Sequence, residues 1–145
     1  MSRRNRFYPH LLDPDIDLWL RFLDLHEDKY NAFDYDIRVG KGRPTTTDQS
    51  EAIQKMAIEL SQRRIDAVGY NNDSITLIEI TCSAGLKCIG QMETYPILYK
   101  QTYKPSLQIK TLLLAETIQA DIEPILIARN YDYIIIPKPL TDGNV

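Results

Sequence analysis

The spacing of apolar residues changes period along this chain, and each change predicts an element. Ile16, Trp19, Leu20 and Leu23 recur at helical spacing after Asp13-Pro14, with Asp13 suited to the N-cap and Pro14 to the first turn. This helix should end near residues 27–30. From Phe33 to Val39 the period drops to two, with Phe33, Tyr35, Ile37 and Val39 expected on one face of a half-buried strand. Gly40-Lys41-Gly42-Arg43-Pro44 breaks the strand; it lacks the Gly-Lys-Ser/Thr ending of a phosphate-binding P-loop. Asp48 or Ser50 can cap a second helix reaching about Gln62, with an apolar stripe of Ile53, Met56, Ala57 and Leu60. Arg64–Tyr70 and Ser74–Thr81 read as two strands of a hairpin, because Asn71-Asn72-Asp73 is turn material.

Ala84 to about Tyr103 is helical by pattern, with Leu86, Ile89, Met92, Ile97 and Tyr99 apolar and Pro96 expected to kink or split it. Ile109–Leu114 is a short strand apolar on both faces. Ala120–Asn130 is a short helix despite Pro124, and Tyr133–Ile136 is a last buried strand. The order predicts an α/β (α+β) fold, a mixed central β-sheet flanked by helices. One domain over 1–145 is expected, with an N-terminal arm (1–12) and a loose C-terminal tail (137–145).

Composition narrows the class. Hydrophobic residues make up 43% and charged residues 26%, ordinary for a globular chain, and no stretch reads as a membrane span or signal peptide. The expected location is the cytoplasm, with no membrane partner. Cys82 and Cys88 lack a second pair or histidines at ligand spacing, so they read as two thiols in a reducing compartment. Net charge is −3, whereas proteins that grip many phosphates are usually basic. Local basic clusters exist: Arg3, Arg4 and Arg6; Lys41 and Arg43; Arg63 and Arg64. His10 and His26 lie far in sequence from the acids discussed next and read as surface residues.

Candidate chemistry sits in the hairpin and the helix after it. If the hairpin closes over residues 71–74, Asp66 lies opposite Glu79. Like charges directly opposed in a sheet repel, unless a hard cation lies between them or Arg63 or Arg64 pairs with one of them. Glu51 and Glu59 on the second helix are further acids but read as exposed. Tyr95, Tyr99 and Tyr103 form a stripe suited to packing or an interface.

Asp66, then Glu79-Ile80-Thr81, then Gln91-x-x-x-Tyr95 resembles the PD-(D/E)XK nuclease superfamily over roughly residues 33–115. Tyr35–Gly40 ahead of Arg64-Ile65-Asp66 further resembles small phage- and prophage-encoded members. The resemblance implies that Asp66 and Glu79 hold Mg²⁺ or Mn²⁺ with the Ile80 carbonyl, and that Gln91 and Tyr95 flank the site. It also implies a lysine where this chain has Thr81. Lys87 reads either as a lysine moved to the helix or as a solvated helix residue.

Two functions follow from the resemblance. The first is a non-catalytic structural or assembly component with a degenerate centre, in a phage neck, head-to-tail or DNA-packaging apparatus. Its partners would be phage structural proteins or a second copy, and its location would extend to the virion. The second is an active Mg²⁺-dependent DNA endonuclease using Asp66, Glu79 and Lys87. Thr81 and the acidic net charge favour the first, which is the expectation, whereas Asp66, Glu79 and Gln91 favour the second, which is the alternative.

Overall fold

A computed structural model describes Tyr8, residues 11–45 and residues 48–140. Helix α1 (Asp13–His26) is followed by a 3-10 turn (Glu27–Lys29), β1 (Ala32–Val39), α2 (Glu51–Ser61), β2 (Arg63–Tyr70) and β3 (Ser74–Ala84). Then come α3 (Leu86–Tyr103), β4 (Gln108–Ile118), α4 (Glu123–Ala128) and β5 (Asp132–Ile135). The strands form one mixed sheet in sequence order, antiparallel from β1 to β3 and parallel from β3 to β5. This is the α/β architecture that the pattern predicts. No helix among the described residues is long and apolar enough to cross a membrane.

Two apolar layers hold the helices to the sheet. On one face, Trp19 and Phe22 of α1 pack on Ala67, Ile78, Ile80, Leu112 and Leu114. Trp19 stacks on Phe22 with centroids 5.1 Å apart, meets Phe33 edge-on, and donates from Nε1 to the Tyr35 hydroxyl at 3.1 Å. Tyr8 and Leu11 of the N-terminal arm are buried in the same layer. On the other face, Tyr95 and Tyr99 cover Ile65, Val68 and Leu77, while Cys88 and Met92 join Leu126 of α4 over Leu113 and Ala115.

Several expectations need correction. Leu12, not Asp13, is the N-cap of α1, and no side chain caps it. Asp13 is already helical and, with Asp15, puts negative charge at the positive end of the helix dipole. Ser50 does cap α2, accepting from the Ile53 amide at 3.3 Å. Yet the α2 stripe faces outward: Ile53, Met56 and Leu60 are exposed and the helix buries no residue. Helix α3 begins at Leu86, because Ala84 still pairs with Ile118 in the sheet. It runs unbroken through Pro96. Its buried residues are Cys88, Met92, Tyr95 and Tyr99, whereas Leu86 and Ile97 are exposed.

The apolar side of β1 does not stay on one face. Phe33 and Tyr35 pack in the α1 layer, but Ile37 and Val39 pack in the α3 layer. Asp36, at φ 55°, lies between them and is missing from the ladder with β2. A left-handed residue inside a strand turns the following side chains over, and Asp is among the few that tolerate it. Opposite it, β2 also changes face, with Ile65 in the α3 layer and Ala67 in the α1 layer.

Candidate active site

The crossing of faces at Asp36 falls where β2 and β3 part. Their antiparallel ladder runs from Tyr70 opposite Ile75 to Ala67 opposite Ile78 and stops there. Beyond it β3 pairs with β4 as far as Ala84, while the first half of β2 pairs with β1. The strands open into a fork, and Asp66 and Glu79 are the next residues on its two prongs. The Asp66 carboxylate spans the gap, its Oδ2 accepting from the Ile80 amide at 2.8 Å. It stands in for a ladder bond that the β2 backbone no longer reaches.

Glu79 is 5% exposed, and its Oε1 has no hydrogen-bond partner among the described residues. Burial, and then the charge of Asp66, push its carboxyl well above the usual range. A buried acid with an orphaned oxygen beside a second acid is costly to keep ionised without a counter-charge.

Asp66, Glu79, Ile80, Thr81, Lys87 and Gln91 all line one cavity of about 400 Å³. Lys87 is exposed on the first turn of α3. Thr81 does not face an ionic partner; its hydroxyl donates to the Ser83 carbonyl at 3.2 Å. Tyr95 lies deeper, 9% exposed, and its hydroxyl accepts from Gln91 Nε2 at 3.5 Å. Glu51 and Glu59 are placed on α2, outside this cavity. Arg64 pairs with Asp36 at 3.6 Å rather than with either acid of the fork. Arg3, Arg4, Arg6, His10 and the tail beyond Leu140 lie outside the described residues.

One contributor escaped the sequence reading. Asp15, in the first turn of α1, lines the same cavity. Its Oδ1 accepts from the Cys82 thiol at 3.3 Å, and that thiol also reaches Glu116 Oε1 at 3.1 Å. Burial raises the Asp15 carboxyl, with the charges of Asp66 and Glu116 adding to the effect. Burial and the two carboxylates push the Cys82 thiol up to about 12, so it stays protonated as a donor. Asp15 stands among ordinary N-terminal helix acids, and nothing local ties it to residues 51 and 64 positions away.

Although three acids line the cavity, no group of three His, Cys, Asp or Glu side chains converges as a ligand set among the described residues. The fit to a divalent cation rests on two carboxylates and a carbonyl. That is adequate for Mg²⁺, which keeps several waters and takes one or two protein carboxylates. The orphaned Glu79 oxygen is the observation that meets the requirement.

No protein-family model matches this sequence, and no curated protein does. Solved structures do. A repair endonuclease from Pyrococcus abyssi superposes with a TM-score of 0.52 at 14% identity, over 89% of this chain and 49% of the endonuclease. An EndoMS structure in complex with double-stranded DNA gives 0.50 at 13% identity, over 94% of this chain and 50% of EndoMS. This chain thus spans about half the length of each. At such identity the likeness is one of fold alone: this chain shares the α/β architecture, a five-stranded mixed sheet with flanking helices, of these endonuclease structures.

Proposed function

We propose that this chain is a divalent-metal-dependent DNA nuclease, with Asp66, Glu79 and the Ile80 carbonyl as ligands and Lys87 in the role that Thr81 leaves vacant. The observation that supports this reading is the buried, unpartnered Glu79 oxygen beside Asp66, in a cavity that Lys87 also lines. A bound Mg²⁺ or Mn²⁺ would neutralise phosphate charge and acidify a coordinated water. The chain's own contributions are distinct. Asp66, tied to the Ile80 amide, holds the two prongs of the fork in register. Lys87 brings an ammonium to the cavity mouth, where it can offset charge developing on the phosphate. Gln91, steadied by Tyr95, offers an amide to the same space. DNA as substrate is supported by the duplex bound to one structural neighbour.

Thr81 supports a second reading. In it the centre is degenerate and the protein serves as a structural or assembly component, in the packaging or neck apparatus of a phage. One assay separates them. Wild type, Glu79→Gln and Lys87→Ala are incubated with supercoiled, linear and branched DNA in Mg²⁺ and in Mn²⁺. The nuclease reading expects wild-type cleavage that falls about 10²–10³-fold in Lys87→Ala, the usual loss for one group that stabilises transition-state charge. Wild type inert on all three DNAs under both metals would leave the structural reading standing.

A further inference from the structure

Two further hollows adjoin the cavity of the carboxylates through shared wall residues. A second hollow of about 320 Å³, lined by Arg63, Lys87, Gly90, Gln91, Thr94 and Tyr95, shares Lys87 and Gln91 with it. A third, of about 340 Å³, shares Arg63 with the second and is walled by Lys41 and Arg43 of the β1–α2 loop. The second and third hollows contain four cations and no acid. All four cations are exposed, and none forms an ion pair with a described carboxylate. In a chain of net charge −3, such a one-signed strip ending at an acidic centre is not what random surface composition gives.

The far end of the strip is built rather than slack. The Gly40 amide donates to Thr102 Oγ1 at 3.1 Å, and its carbonyl accepts from Gln62 Nε2 at 2.6 Å. The Arg43 amide donates to Ser61 Oγ at 2.6 Å. Gly40 and Gly42 have φ of 84° and 71°, and a Cβ at Gly42 would come within 2.5 Å of the Ile58 carbonyl. The loop is therefore clamped between α2 and α3 in a shape that needs glycine, with Lys41 and Arg43 projecting from it. Pre-ordering the donors lowers the entropy lost when they engage a ligand.

We propose that Lys41, Arg43, Arg63 and Lys87 form a phosphate track, which leads one nucleic-acid strand from the β1–α2 loop to the Asp66–Glu79 centre. The proposal rests on the reading of that centre as the place where a phosphodiester lies. Tyr95 is too buried to offer a ring face, so bases have no stacking platform in these hollows. Recognition is then through the backbone, insensitive to sequence and independent of metal.

The test is binding of the full chain to fluorescently labelled DNA and RNA strands, and to duplex DNA, in EDTA, read by anisotropy across a salt series. Wild type should bind, with an affinity that falls steeply as salt rises. Lys41→Ala/Arg43→Ala and Arg63→Ala should weaken binding several-fold for every sequence. Each should also flatten the log–log salt slope by close to one for every cation removed. Lys110→Ala and Lys138→Ala, exposed cations off the track, should leave both unchanged. Melting curves identify any variant that fails to fold, and Lys41→Glu/Arg43→Glu repeats the loop test should the alanine pair do so. Track variants that keep wild-type affinity and slope, or a wild type that binds none of the three nucleic acids, would overturn the proposal. Cleavage reports separately. Binding that depends on the track without cleavage supports the track and sinks the nuclease reading; cleavage that ignores the track does the reverse.

Discussion

The Glu79 carboxyl lies buried on β3 beside Asp66, across the fork from β2. Because its pKa is raised by burial and by Asp66, the folded protein holds the Glu79 proton at pH values where the unfolded chain has lost it. Stability from this group is fully present below its ordinary value of 4.5, and is lost as pH rises from there through the raised folded value. Metal-free wild type should therefore melt lower at pH 8 than the same protein carrying Glu79→Gln. The gap should be about 1–3 kcal/mol, the usual penalty for a buried polar group without its partner, and should shrink toward pH 4. Added Mn²⁺ should stabilise wild type more than the variant. Scanning fluorimetry at three pH values with and without Mn²⁺ checks this, and a variant that melts below wild type at pH 8 would count against it. The placing of Asp66 across from Glu79 was legible because strand alternation and closure over residues 71–74 set the hairpin register. The depth of Glu79 was not, since the helix that covers it is placed by tertiary packing.

Among the elements, β1 departs most from its sequence pattern. Four apolar residues alternate without interruption from Phe33 to Val39, and nothing in that spacing signals a change of face. The sole local hint is that the pivot is an aspartate, which tolerates left-handed backbone better than most residues. That pivot allows β2 to turn over opposite it, next to the point where β2 leaves β3, so the fork that exposes Asp66 depends on it. Asp36→Gly keeps the backbone shape and loses the contact with Arg64, so urea denaturation should show a loss within about 1 kcal/mol. Asp36→Val puts a β-branched residue at φ 55° and should lose about 2–3 kcal/mol. Equal losses in the two would argue that the turn is not what the aspartate provides. Helix α2 fails differently: its stripe was legible, but periodicity reports amphipathicity and not whether another element covers the face. Ile53, Met56 and Leu60 stay exposed, while Ser61 and the C-capping Gln62 at the end of α2 hold the β1–α2 loop.

At the scale of the whole molecule, alternating periods were enough to give the order of elements and the mixed sheet. They could not give the gathering of side chains from α1, β2, β3 and α3 around one cavity. Lys87 is the case that matters. In sequence it is one lysine on a helix; in space it shares a cavity with both acids of the fork, eight residues from the Glu79 with which it would act. If the centre needs a positive charge there, rather than a lysine at one fixed position, the charge should be movable. Thr81 lines the same cavity and makes a single local bond to the Ser83 carbonyl, so a longer side chain at that position displaces little. The double variant Thr81→Lys/Lys87→Ala should therefore recover part of the cleavage that Lys87→Ala loses, at least tenfold over the single variant. Recovery should be incomplete, because catalytic groups must be held within about half an ångström. Thr81→Lys alone should weaken the binding of Mn²⁺, since two ammonium groups then oppose the cation in one cavity. Rates on a single DNA substrate with Mn²⁺ titrations for the four proteins give both quantities. A double variant no faster than Lys87→Ala, with Mn²⁺ binding intact, would mean that Lys87 serves this cavity by its position and not by its charge alone.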